Sequence, residues 1–294
     1  MKINKLVAVF TIAVLTFSVG CDSQRLNQFA SFAAAGSQYV QASHKVIEQA
    51  GSAMISADSA VLLTARSQAG TGNRDDVIKD DRMLETYLEN LRKIDAHATV
   101  LGSYFDAITQ LTNGKAAAGV SSSATGLLDA INTFNPQIEK LSFGGKTVKD
   151  FVSTGSSLIV AHFEVKALND HLKKSAPIID HALALQEAAM AAIAEQMKAS
   201  LQASLEVKES TDVVEPYVKG PPANWNNTRE SFLRTKVTID DVDHAKAAIA
   251  KLRGTFRELV QNPHATIDLT ALINEISKLA DFAKAVESST KNSK

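Results

Sequence analysis

Apolar residues recur at alternating three- and four-residue intervals in separate stretches of this 294-residue chain, and that spacing constrains its fold more than any other feature. Leu84, Tyr87, Leu91, Ile94, Ala98, Leu101, Phe105 and Ile108 keep it. Val120, Ala124, Leu127, Ile131, Phe134, Ile138 and Leu141 repeat it, as do Val242, Ala245, Ile249, Leu252, Phe256 and Leu259, and again Leu269, Leu272, Ile276, Leu279, Ala283 and Val286. A mean period of about 3.5 residues draws one apolar seam along each helix and favours left-handed, coiled-coil-like packing. A further stretch, Gln24 to Gln68, holds the register with smaller residues: Leu26, Phe29, Ala33, Gly36, Val40, Ser43, Ile47, Ala50, Met54, Ala57 and Val61. Small seam residues let a neighbouring helix come close. Unbroken, this helix would run roughly 65 to 70 Å; Gly36 and Gly51, each about 1 kcal/mol worse than alanine, allow a bend.

Turn residues divide the seams. Gly70-Thr71-Gly72-Asn73 ends the first helix, Asn113-Gly114 the second, and Gly144-Gly145 separates the third from a fourth starting near Thr147. Pro177 interrupts Val148 to Ser210, as a kink or as the start of a new helix. Pro216 to Asn227, with tandem prolines and the sole tryptophan, reads as an irregular connection; Thr238 with Asp241 reads as a capping box, and Asn262-Pro263-His264 breaks the final pair. No stretch reads as a strand. Short connections make successive helices antiparallel neighbours. The expected fold is all-α, an elongated up-and-down bundle: a leader at 1–20, a long-helix bundle at 21–215, a Pro/Asn-rich loop at 216–228, and a C-terminal hairpin at 229–294 packed on the bundle.

The leader has its own chemistry. Lys2 and Lys5 precede an apolar run, Leu6 to Val19, too short for the roughly 18 to 20 residues a spanning helix needs. It ends at Ser18-Val19-Gly20-Cys21, and Cys21 is the only cysteine in the chain. This segment resembles the type II signal peptides of bacterial lipoproteins, with Val19, Gly20 and Cys21 matching and Ser18 standing where leucine is usual. The resemblance implies cleavage before Cys21, diacylglycerol on its sulfur, an acyl chain on its freed amine, and a membrane anchor. Two or more chains hold stably, at about 0.8 kcal/mol per buried methylene. Asp22 implies retention at the periplasmic face of the inner membrane, as in enteric-type bacteria, in preference to the outer membrane. The remaining chain resembles no family on these grounds.

Chemistry beyond the anchor is sparse. A formal net charge of −1 lacks the footprint of a nucleic-acid binder, and one cysteine excludes internal disulfides and multi-thiolate metal sites. Gly144-Gly145-Lys146-Thr147 ends like a phosphate loop, but Lys140 stands where the first glycine belongs. Neither His-Glu-x-x-His nor a Glu-x-x-His pair occurs. Asp170-His171 and Asp180-His181 echo each other around Pro177, and His162 lies near an apolar stripe. His162, His171 and His181 are therefore the candidate metal or ligand residues, against the plainer reading of a solvated face or a hydrogen-bonded histidine. His97, flanking Ala98, reads as a buried, hydrogen-bonded residue that fixes register. Phe143, Trp225 and Phe232 sit near helix junctions, where they either plug a bundle end or meet a partner. The alanine-rich run Ala182 to Ala203 reads as a central bundle member. No catalytic constellation emerges, so the expected function is a non-catalytic envelope lipoprotein, a helical scaffold, adaptor or inhibitor binding another envelope protein. The alternatives are a small-ligand or metal carrier using the bundle interior and, third, a membrane-active helical protein.

Overall fold

The seams become the core. In a computed structural model, which describes residues 3–112, 118–152, 158, 166–262 and 266–291, the chain folds as α1 (Ile3–Ala69), α2 (Arg74–Thr112), α3 (Ala118–Glu139), β1 (Ser142–Phe143), β2 (Lys146–Thr147), α4 (Val148–Phe151), α5 (Lys166–Lys208), a π-helical turn (Glu209–Val214), α6 (Glu215–Lys219), α7 (Trp225–Thr238), a 3₁₀ turn (Ile239–Val242), α8 (Asp243–Gln261) and α9 (Thr270–Lys291). Side chains of residues 3–23, 118–125, 166–171, 238, 240 and 287–291 lie outside the description. From Tyr87 to Ile108 every residue on the α2 seam is buried, as is the α8 seam from Val242 to Leu259 and the α9 seam from Leu272 to Val286. The architecture is an all-α helical bundle with one main core, drawing on α1, α2, α3, α5, α8 and α9 together. Removing that much apolar surface from water is the main drive to fold.

Glycine sets the closest approach. The α1 seam is buried from Phe29 to Ala57 except for half-buried Met54, and α1 stays helical through Gly36 and Gly51. A Cβ at Gly36 would meet the Phe105 ring at 2.7 Å, and one at Gly102 would meet Val40 at 3.2 Å. The two glycines, on opposite helices, admit each other's neighbours.

Specific pairs fix directions. Ser37 with Asp106, and His44 with Asp95, make α1 and α2 antiparallel. His97 with Asn135, and Asn90 with the Ser142 carbonyl, set α3 antiparallel to α2. Tyr104 with Ser175, and His97 with Gln186, do the same for α5. So α3 and α5 run the same way, a departure from strict alternation that the long stretch between them permits.

Local departures from expectation have local causes. Gly144 and Gly145 both take positive φ, 55° and 83°, and close a two-residue hairpin pairing Ser142 with Thr147 and Phe143 with Lys146; a primed turn favours glycine at both positions. The fourth helix does begin at Val148, with the Thr147 N–H and Oγ1 donating to Asp150 Oδ2 at 2.7 and 2.8 Å, but spans only to Phe151. α5 runs unbroken through Pro177. Proline there removes a backbone bond at a cost of about 3 kcal/mol, and burial of Leu172, Ala176 and Ile179 around it offsets that cost. The connection at 216–228 is mostly helical: Pro216 stands in α6, directly after the π-helical turn, and α7 begins at Trp225, leaving only 220–224 irregular. Residues 239–242 form a 3₁₀ turn joining α7 to α8, not a helix start; the Thr238 side chain lies outside the described residues.

Candidate functional site

Three places concentrate chemistry. The first is inside the core, where α2, α3 and α5 meet. His97 is fully buried; its Nδ1 lies 2.9 Å from Gln186 Oε1 and its Nε2 3.2 Å from Asn135 Oδ1. Burial holds the imidazole pKa below its ordinary value, the carboxamide contacts oppose that shift, and His181 adds to it. Tyr39 of α1, also fully buried, lies against the Gln186 carboxamide, and desolvation drives its phenol strongly upward. To reach this place α3 turns Asn135 inward: Leu128, Ile131, Asn135 and Ile138 are its buried face, while the predicted seam residues Leu127 and Phe134 are half-buried. His97 is buried and hydrogen-bonded, as its sequence position predicts.

The second place lies between α5 and α8. Arg253 Nε and Arg257 Nε donate to Asp180 Oδ1 at 3.2 and 2.6 Å, Arg257 Nη2 donates to Asp180 Oδ2 at 2.8 Å, and Arg253 Nη1 reaches Glu187 at 3.2 Å. Burial pushes the Asp180 carboxyl up, but the bonds from Arg257 and Arg253 outweigh it and leave the pKa below the ordinary aspartate value. Asp180 thus sits in a buried ion-pair network, not on the solvated face that its spacing with His181 suggested.

The third place is the end of the bundle remote from Gln24. Ser200 of α5 meets Met54 of α1. Past that level the α1–α2 pair continues and its apolar residues emerge: Val61 of the α1 seam is 52% exposed and Val77 of α2 43%. Leu63 and Met83 are exposed beside them. At the same end, Leu205, Phe232 and Ile239 form a small separate core, capped by α6 and α7 with Tyr217, Val218 (76%) and Val237 (78%) facing solvent. Trp225 is half-buried, its Nε1 donating to the Val213 carbonyl at 2.9 Å and its ring 5.4 Å from Tyr217. Trp225 and Phe232 therefore serve this cap from within, as Phe143 serves the body, buried edge-on against Tyr87 at 5.6 Å. At the opposite end an open groove of about 720 Å³ lies between α1 and α9, lined mainly by uncharged polar residues such as Gln24, Asn27, Ser31 and Thr266.

The remaining candidates divide. His162 lies outside the described residues, and the side chains of Cys21, Asp22 and His171 do so too. His181 is exposed and its Nε2 lies 3.2 Å from Glu139 Oε1. Among the described residues no three His, Cys, Asp or Glu side chains are grouped to hold a metal, and no helix is long and apolar enough to cross a membrane. Asn135, Gln186, Tyr39, Arg253 and Arg257 escaped the sequence reading. The arginines had a signal: they stand four apart on one helix, and Asp180 and Glu187 seven apart on another, so each pair shares a face. Comparison with models of known protein families, with curated proteins and with solved structures returns no match.

Proposed function

We propose that this chain is a lipid-tethered, non-catalytic envelope protein whose bundle holds a protein-docking end away from the membrane, acting as scaffold, adaptor or inhibitor. The observation that carries this is where apolar surface is left uncovered. Among the described residues, every exposed large apolar side chain except Ile273 falls toward the end remote from Gln24, which lies three residues after Cys21. Clustered exposed apolar surface marks interaction sites, because solvating it costs about 25 cal/mol per Å². Of the buried polar residues, His97 bonds to Gln186 of α5 and Asn135 of α3, and Asp180 of α5 bonds to Arg253 of α8.

Two measurements test the reading. Labelled palmitate should enter the wild type and not Cys21→Ala, which should appear in the soluble periplasm; equal labelling of both overturns the anchor. A photo-crosslinking residue at Val61 or Val218 should give a reproducible adduct with one envelope protein, and one at Ile273 should not. Equal adducts from all three positions, or none from the remote end, overturn the docking assignment.

A further inference from the structure

The contacts around His97 allow only one complete assignment of protons. Both ring nitrogens face carboxamide oxygens, Gln186 Oε1 at 2.9 Å and Asn135 Oδ1 at 3.2 Å. A neutral imidazole carries one N–H, so one of these contacts sets two acceptors face to face. An imidazolium would donate to both, but among the described residues no carboxylate is set against the ring: α5 brings Gln186 and His181, whose partner at 3.2 Å is Glu139 of α3, α3 also brings Asn135 and the Phe134 ring at 6.5 Å, and α1 brings the phenol of Tyr39 behind Gln186. Meanwhile Gln186 Nε2 and Tyr39 Oη are both buried with no hydrogen-bond partner among the described residues. Such orphans typically cost about 1–3 kcal/mol each.

Half a turn of the Gln186 carboxamide removes all three conflicts. Its oxygen then accepts from the Tyr39 hydroxyl, its nitrogen donates to His97 Nδ1, and His97 Nε2–H donates to Asn135 Oδ1. Turning Asn135 instead leaves Tyr39 and Gln186 as orphans. We propose that Tyr39, Gln186, His97 and Asn135 form one directional hydrogen-bond chain tying α1, α5, α2 and α3 together, and that this chain is a latch opened by acid. A proton added at Nδ1 meets the Gln186 N–H head-on; if Gln186 turns back to accept it, Tyr39 and the carboxamide nitrogen lose their partners again. Either way a charge enters a buried core, and α3 and α5 loosen from α2.

Nitrogen-15 spectra of the full protein with labelled histidine test the proton order. At pH 7, His97 should be neutral and protonated on Nε2. Tyr39→Phe, which removes neither of the two hydrogen-bond partners of His97, should release Gln186 and shift the ring toward the Nδ1–H tautomer. An Nδ1–H tautomer or an imidazolium in the wild type, or no tautomer change in Tyr39→Phe, overturns the chain. Amide exchange, corrected for the intrinsic pH effect, tests the latch. Between pH 7 and 5 it should accelerate in 126–139 and 176–190, by at most about tenfold per pH unit for one proton, and not in α8. His97→Gln should abolish that acceleration; if it does not fold, Gln186→Met serves, since without the opposing N–H the acid response should shrink. Acceleration equal in all helices, or none, overturns the latch.

Discussion

At the scale of single residues, the bundle depends on side chains that are missing as much as on those present. A Cβ at Gly36 would lie 2.7 Å from carbons of the Phe105 ring, which is itself held edge-on by Phe32 at 5.7 Å and by Tyr104 at 6.1 Å. The ring has nowhere to retreat. Gly36→Ala should therefore destabilise by about 1–3 kcal/mol through overpacking, despite the better helix propensity of alanine. Gly254→Ala, in α8 with no atom within 4 Å of the new carbon, should stabilise by up to about 1 kcal/mol. Urea midpoints at constant slope measure both; equal effects would show that approach distance does not govern α1. The place of Gly36 on an inward stripe was legible from spacing alone. Its partner was not, because periodicity fixes which face turns inward and leaves the axial offset between two helices open. Gln186 and Asn135 were hidden for a related reason: a polar residue at an inward position reads as an interruption until its partner from another helix is known.

At the scale of elements, the pairing of α5 with α8 rests on Asp180 more than on any other polar group. Replacing it by alanine takes from Arg253, 10% exposed, one of its two carboxylate partners, Glu187 being the other, and from Arg257 the carboxylate that accepts from both its Nε and its Nη2. Removing one member of such a pair costs about 3–5 kcal/mol. The same network predicts a pH window. Because the folded-state pKa of Asp180 lies below its unfolded value, its contribution is fully present above about pH 4 and is lost as pH falls through the folded value. Denaturation of the wild type and Asp180→Asn should therefore differ at pH 7 and converge only in strong acid; a gap that closes between pH 7 and 5 would refute this. His97 acts in a different window. Its folded pKa is lowered, so its stability deficit grows as pH drops below about 6.5. Helix existence and most helix ends were legible, since the long seams and the glycine stops agree. The hairpin at Ser142–Thr147 was not, because two residues per strand are too few to show a period of two. The helicity of Glu215–Lys219 was hidden by prolines that suit a first helical turn as well as a loop.

At the scale of the whole molecule, two parts of similar helical character contribute differently to stability. α8 and α9 place Leu252, Phe256, Leu259, Leu272 and Leu279 in the main core, where Phe256 stacks on Phe32 of α1 at 5.8 Å. A chain ending at 224 would expose the α1 and α5 faces they cover. That fragment should lose its cooperative urea transition and bind a hydrophobic dye, as loosely packed helical states do. The remote α1–α2 tip is the converse case. Beyond Ala57 its seam is half open, and within it Asp58 faces Asp80 and Asp81, its carboxyl raised by burial and by those two charges. Like charges and exposed valines stabilise nothing in the isolated chain. Replacing residues 60–79 with a four-residue turn should therefore leave the urea midpoint close to wild type while abolishing the adduct formed from Val218, if both sides of the remote end grip one partner. Unfolding of the shortened chain would make the tip a structural element and remove the physical reason for treating it as a docking surface; an intact fold with an undiminished adduct would confine docking to α6 and α7.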